Sequence, residues 1–174
     1  GTSTNDQFAY SVAISGNYAI IGAFGENDAG GTTSGKAYIY DVSLGAIVHT
    51  LDNPNPYGTS LNDYFGDKVD ISGNYAIVNA VLEDDASGTS SGKAYIYNVS
   101  TGALVHTLDN PNPFSTSTSD TFGNQVTISG NYVAAGAYQE DDAVGNSAGK
   151  AYIYSLVDPT VTSFVTYAEL NNLG

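Results

Sequence analysis

Asp63-Tyr64-Phe65-Gly66-Asp67-Lys68-Val69-Asp70-Ile71-Ser72-Gly73-Asn74-Tyr75-Ala76-Ile77-Val78-Asn79-Ala80 reads as two β-strands joined by a tight turn. Within Phe65 to Ser72, Val69 and Ile71 fall at a spacing of two, the period of a half-buried strand. Ser72-Gly73-Asn74 is a compact hairpin signal, because Gly and Asn accept the positive φ that short hairpin turns require. Tyr75 to Val81 is almost continuously apolar, as expected of a strand covered on both faces and therefore central in its sheet. A polar loop from Glu83 to Gly92 follows. In Lys93 to Val99, Ala94 and Ile96 then point one way and Tyr95 and Tyr97 the other. Gly102 turns the chain into Ala103 to Leu108. The prolines of Asp109-Asn110-Pro111-Asn112-Pro113 cannot continue a ladder, so this stretch is a linker.

The same unit occurs three times at a spacing of 57 residues. Ser15-Gly16-Asn17-Tyr18 returns at Ser72 and Ser129, and Gly35-Lys36-Ala37-Tyr38-Ile39-Tyr40 returns at Gly92 and Gly149. The chain divides into repeat 1 (1–57), repeat 2 (58–114) and repeat 3 (115–174), the last with a divergent C-terminal cap. Gly1-Thr2-Ser3 is in phase with Gly58-Thr59-Ser60 and no Met stands at position 1, so the sequence reads as a fragment or processed product. The expected class is all-β, with three four-stranded antiparallel blades of a β-propeller type. A β-solenoid or a row of separate hairpin sheets is the alternative. Propellers close with about four to eight blades. Three repeats therefore imply further blades from a longer chain, two chains sharing a six-bladed ring, or an open stack. The only helical signal is a last turn around Ala168 to Leu170, and Val161 to Tyr167 alternates well enough for a closing strand.

Composition excludes several functions. There are 18 Asp and Glu against four Lys and no Arg, a formal net charge of −14. Such a surface repels nucleic acid and anionic membranes, whose recognition rests on basic clusters. Cys, Met and Trp are absent, so neither disulfide nor thiolate chemistry is available. No run of residues is long and apolar enough for membrane insertion. An acidic surface rich in Ser, Thr, Asn and Gly suits an extracellular or saline setting.

The wording of the repeat also carries a resemblance. Asp63-Tyr64-Phe65-Gly66, Val69-Asp70-Ile71-Ser72-Gly73-Asn74, Ile77-Val78-Asn79-Ala80 and Gly92-Lys93-Ala94-Tyr95-Ile96-Tyr97 together resemble an FG-GAP repeat in a short-hairpin form. Ile21-Gly22-Ala23 and Ala135-Gly136-Ala137 supply the GA positions of the other copies, and Phe122-Gly123 supplies FG in the third. Phe8-Ala9 departs from FG in the first copy, and Asn79 departs from Gly in the second. The resemblance implies a propeller blade of the kind found in integrin heads and in secreted or surface-attached microbial proteins. The tyrosine-rich, Asp-Asn-Pro-rich wording is also similar to repeat proteins of marine bacteria and their phages. On that basis the chain is expected to be a non-enzymatic structural or adhesive element of an extracellular surface, cell surface or virion fibre. Its expected partners are copies of itself or further blades, and a surface glycan or protein receptor.

FG-GAP relatives suggest calcium, yet the hairpin where the family carries its oxygen ligands holds only Ser-Gly-Asn here. The carboxylates gather instead in the next loop, as Glu26 and Asp28, Glu83-Asp84-Asp85, and Glu140-Asp141-Asp142. Two readings stand: a weak calcium site completed by carbonyl oxygens, or a solvated acidic loop that blocks edge association and pairs with the lysine of each unit. Lys36, Lys93 and Lys150, the cations common to all copies, are expected to be structural, with the ammonium facing the acidic loop. Gly30 and Gly35-Lys36 imitate a phosphate loop, but Ala37 replaces the needed hydroxyl and a strand follows in place of a helix. His49 and His106 sit at equivalent positions and read as half-buried strand residues. A polysaccharide hydrolase is the enzyme alternative, opposed by acids that repeat in register where catalysis needs one unique pair. The copy-specific positions Tyr10, Asp67 and Asn124 are the places expected to encode a ligand surface.

Overall fold

The structure, a computed structural model, describes residues 5–28, 31–54, 61–86, 88–111, 115–143, 145, 147–156 and the backbone of 168–171. Each repeat folds as an antiparallel meander. The first sheet runs β1 (Ser11–Ser15), β2 (Tyr18–Ala23), β3 (Lys36–Asp41) and β4 (Ala46–Asp52), neighbours in that order. The second runs β5 (Phe65–Ser72), β6 (Tyr75–Ala80), β7 (Lys93–Asn98) and β8 (Leu104–Asp109). The third runs β9 (Val126–Ser129), β10 (Tyr132–Ala137), β11 (Lys150–Ser155) and β12 (Ala168–Asn171). None of the described residues is helical. The helical turn expected at Ala168 to Leu170 is therefore replaced by a strand. Its register explains why: Leu170 lies opposite Ala151 as Leu51 does opposite Ala37 and Leu108 opposite Ala94. The expected closing strand at Val161 to Tyr167 lies outside the described residues.

Ser72 pairs with Tyr75, leaving Gly73-Asn74 as a two-residue loop, and Gly73 takes the positive φ of 57° that the turn demands. The three sheets pack face to face in sequence order, β5 lying on β1 and β2, and β9 on β5 and β6. Alternation within each strand decides which interface a side chain enters. Tyr95 and Tyr97 of β7 join Ile20, Ala37, Ile39 and Leu51 in the core between the first two sheets. Ala94 and Ile96 join Phe122, Ile128, Val133 and Tyr152 in the core between the second and third. Phe65 and Phe122 are fully buried at these interfaces, each against two tyrosines of its own repeat. A large apolar side chain so placed contributes about 1.5–3 kcal/mol.

The sheets also meet through the backbone. Gly35 forms an isolated parallel bridge to Phe65, and a Cβ added to Gly35 would overlap the Phe65 carbonyl oxygen. A Cβ on Gly22 would overlap the carbonyl oxygen of Gly66. Gly92 meets Phe122 in the same way at the second seam. There, however, Asn79 replaces the glycine. Its Nδ2 donates to the Gly123 carbonyl at 2.8 Å and its Oδ1 accepts from Lys68 N at 2.7 Å. A side-chain bridge thus stands where the first seam has direct backbone contact. First strands of successive sheets are joined as well. Ser11 Oγ accepts from Val69 N (3.0 Å), Ser72 Oγ from Gly130 N (3.0 Å), and Asp70 Oδ2 from Ile128 N (2.8 Å).

Gly35 has φ 87° and no room, whereas Gly45 has φ 62° and open space around it. Gly45→Ala is expected to cost about 1 kcal/mol, the left-handed penalty alone. Gly35→Ala is expected to cost at least about 3 kcal/mol, because strain and overlap add. Equal midpoints for the two variants in urea unfolding would contradict this account of the seam.

Candidate functional site

The acidic loop after the second strand of each blade is the recurrent concentration of chemistry, and its carboxylates diverge. The glutamate turns inward. Tyr38 Oη donates to Glu26 at 2.6 Å, Tyr95 Oη to Glu83 at 2.6 and 2.7 Å, and Tyr152 Oη to Glu140 at 2.6 Å. Glu83 and Glu140 are fully buried. The next two residues turn back on their own loop. Asp84 Oδ1 accepts from Ser90 N and Asp85 Oδ1 from Gly88 N, both at 2.8 Å. Asp141 and Asp142 accept from Ser147 N (2.8 Å) and Gly145 N (2.9 Å), and Asp28 from Gly31 N (2.9 Å). Acids of one loop therefore point to different places. Among the described residues no group of three or more His, Asp or Glu side chains is placed to hold a metal ion. The acids considered from the sequence for calcium, Glu26, Asp28, Glu83, Asp84, Asp85, Glu140, Asp141 and Asp142, are thus engaged by tyrosine hydroxyls and loop N–H groups.

Lysine partners follow cross-strand register. Lys36 faces Asp52 and Lys93 faces Asp109 across the third and fourth strands, and each forms its ion pair there. The expectation that the ammonium faces the acidic loop is corrected for Lys36, whereas the Lys93 charge acts on Glu83 of that loop as well as pairing with Asp109. In the third blade the facing residue is Asn171, which has no charge, and Lys150 instead pairs with Glu140 at 2.9 Å with both side chains buried. The linker Asn closes each seam: Asn53 Nδ2 donates to Asp63 Oδ2 and Asn110 Nδ2 to Asp120 Oδ2, both at 2.8 Å.

Of the copy-specific positions, two come together and one does not. Exposed Tyr10 lies beneath Lys68, whose Nζ sits 4.9 Å from the ring centroid, and Asp67 Oδ2 holds the same ammonium at 2.9 Å. Tyr10 also meets Phe24 edge-on at 4.7 Å, and Phe24 meets Tyr64 at 5.2 Å. Phe24, Tyr64 and Lys68 were not legible as part of this cluster, since they come from different repeats and differ from their counterparts. Asn124 lies away on the third blade, near Gly136. His49 is half-buried on β4 with Nε2 3.2 Å from the Ser100 carbonyl oxygen, and His106 is half-buried on β8.

Three stacked four-stranded sheets, each antiparallel and each built from one repeat, define a β-propeller-type repeat or binding module. The FG-GAP repeat family matches residues 1–40, 56–97 and 115–154, and the chain belongs to that family. One similar solved structure is the Pan2 WD40 domain of Neurospora crassa, 10% identical, with a TM-score of 0.45, covering 84% of this chain and 36% of that chain. The chain thus spans about a third of the length of that structure. Comparison with curated proteins gives no match.

Burial sets the protonation of the seam acids. It raises the Glu83 carboxyl to about 8, the Asp63 carboxyl to about 7 and the Asp120 carboxyl to about 6. Burial, then the Glu83 charge, holds the Tyr95 hydroxyl well above its ordinary value. The folded chain binds protons that the unfolded chain has released. The stability they contribute is complete below about pH 4 and is lost as pH rises through 6, 7 and 8. Melting temperature is expected to fall from pH 5 to pH 8. Glu83→Gln keeps an acceptor for Tyr95 and cannot ionise, so it should shrink that pH 5 to 8 loss by on the order of 1–3 kcal/mol. Calorimetric scans of both proteins check this, and an unchanged slope in the variant would count against it.

Proposed function

We propose that the chain is a non-enzymatic structural or adhesive module displayed on an extracellular surface or in a virion fibre. One observation carries this reading: the acids repeated in every blade are engaged by the fold. The glutamates bind buried tyrosine hydroxyls, and the following acids cap their own loops. Glycoside hydrolysis requires one unique pair of carboxylates for acid and base work, and the acids described in these loops repeat in register instead. Lack of Cys and Met suits an oxidising exterior, where thiols and thioethers are the first side chains lost. The acidic surface suits solubility in a saline medium.

A second reading, a glycan- or receptor-binding module, is favoured by the surface cluster of Tyr10, Phe24, Tyr64, Lys68 and Asp67. Aromatic faces beside a cation and a carboxylate match the amphipathic surface of a sugar or a protein side chain.

Immunogold labelling of intact source cells and of purified particles tests the location, with gold expected on the outer surface. Label confined to the cytoplasm would remove the surface role. On a glycan array, saturable binding that Tyr10→Ala lowers about tenfold with an unchanged melting temperature would select the second reading.

A further inference from the structure

The lysine that opens the third strand of each blade stands between two fixed neighbours. Across the ladder Lys36 lies opposite Asp52, Lys93 opposite Asp109 and Lys150 opposite Asn171. On the other side, the first glutamate of the acidic loop is tied by its backbone to the glycine before that lysine. Gly35 N donates to the Glu26 carbonyl at 2.8 Å, and Gly92 N to Glu83 and Gly149 N to Glu140 at 2.9 Å. In the first two blades an ion pair joins the amine to the aspartate. In the third, Lys150 Nζ lies 2.9 Å from Glu140 Oε1. The repeat thus sets one amine within reach of both a side chain on the next strand and a carboxyl on the loop before it.

The position opposite the lysine is filled by Asp, Asp and Asn. A purely electrostatic partner needs a charge, which Asn lacks. What Asp and Asn share is a carbonyl carbon at Cγ that an amine can attack. The second blade, covered on both faces by its neighbours, holds the trio under the most shielded conditions. The Lys93 side chain is only 4% exposed, and Glu83 is fully buried. The charges of Lys93 and Asp109 both act on Glu83, and burial above all raises its carboxyl to about 8, so that it carries a proton at neutral pH. Tyr95 Oη donates to the same carboxyl at 2.6 Å and fixes its place. A positioned acid that holds its proton beside an amine and an acyl carbon is the arrangement that general acid–base catalysis of acyl transfer requires. Asp109 is 61% exposed, which gives a small leaving group a way out.

We propose that Lys93 and Asp109 condense into an intramolecular isopeptide bond, with Glu83 as the acid that assists the reaction. Within the ion pair, Asp109 takes one proton from the Lys93 ammonium. The Nζ lone pair then attacks Cγ and the N–C bond forms. A proton of that nitrogen passes through Glu83 to the departing oxygen, the C–O bond breaks, and the oxygen leaves as water. Ammonium and carboxylate become amide and water, nothing is oxidised or reduced, and Glu83 ends as it began. Condensation of separate amines and acids is opposed in water, but groups held by one fold react at effective molarities that reach about 10⁵–10⁸ M. The bond ties β7 to β8 in a chain that has no Cys for a disulfide. It forms once per chain and turns over no substrate, so it stands whichever surface role the module serves.

Trypsin and mass spectrometry test the bond on the purified, denatured chain. The cleavage sites are Lys36, Lys68, Lys93 and Lys150, and an acylated Lys93 is not cut. Residues 69–150 are expected as one fragment, lighter than their sequence mass by one water, with the link placed between Lys93 and Asp109 by fragmentation. Asp109→Ala alters an exposed side chain and should restore full mass and the separate fragments 69–93 and 94–150. Glu83→Gln should lower the linked fraction at least about tenfold, read in chains that still melt cooperatively. Separate fragments of full mass from the wild-type chain would overturn the proposal, and so would a missing water that Asp109→Ala fails to restore. Linkage undiminished in folded Glu83→Gln would remove Glu83 from the reaction.

Discussion

The close backbone approach between neighbouring blades is the constraint on which the rest of the structure depends. Where Gly35 meets Phe65 and Gly22 meets Gly66, no side chain fits between two main chains. That contact fixes the spacing of the sheets. Spacing in turn lets Phe65 reach Tyr95 and Tyr97 from its own sheet while Ile20, Ala37 and Ile39 of the preceding sheet close over the same core. A larger separation would leave the aromatic layer partly empty, and interiors at native density tolerate few such voids. Asn79 is informative as the exception. It widens the contact by one amide group, and that amide bonds both to Gly123 and to Lys68, so the polar atoms it introduces are satisfied.

The buried acids obey the same geometry from another direction. Glu83 receives the Tyr95 hydroxyl on both oxygens, at 2.6 and 2.7 Å, although a phenol has one hydrogen to give. The two oxygens share that hydrogen, and burial favours the protonated form of the carboxyl. The pair serves as a polar plug at the loop end of the blade, tying the acidic loop to the third strand. In the third blade, Asn171 replaces the aspartate that faces the lysine of the other two blades, so Lys150 moves onto Glu140. Change of a single cross-strand partner thus goes with a new partner for the lysine, while the other contacts of the loop acids are kept. Net charge is strongly negative, yet the acids within the seams belong to packing and the excess resides on exposed loops and edges.

Architecture was legible because repetition does the averaging that a single sequence otherwise lacks. Strand edges at Phe65 and Ser72, the two-residue hairpin and the division of Ala94 and Ile96 from Tyr95 and Tyr97 all follow from local periodicity. The lysine partners were not legible. Lys36 and the acidic loop are close in sequence, whereas Asp52 becomes a neighbour only through the register of β3 and β4, and that register shifts at a bulge between Ile39 and Tyr40. The helical turn expected at Ala168 to Leu170 failed for a related reason. Ala168 to Asn171 has good helix formers at Ala168, Glu169 and Leu170, and pairing with β11 overrides that local preference. In the acidic loops, sequence shows which carboxylates are near one another and not which way each turns.

The seams and the rim are therefore under different demands. A seam position answers to two blades at once, and where both main chains touch, glycine or a bridging amide is the only solution found in these copies. Tyr10, Asp67 and Asn124 occupy one repeat position with three unlike side chains, and each blade keeps the same strand order around them. Tolerance of that kind marks a position that the strand order does not dictate. Because the position after it also varies among copies, as Ser11, Lys68 and Gln125, the ammonium of Lys68 can lie over the ring of Tyr10 across a blade boundary without disturbing either core. A repeat built this way separates what must stay constant for blades to stack from what can change to meet a partner, and it does so within a few residues of the same strand.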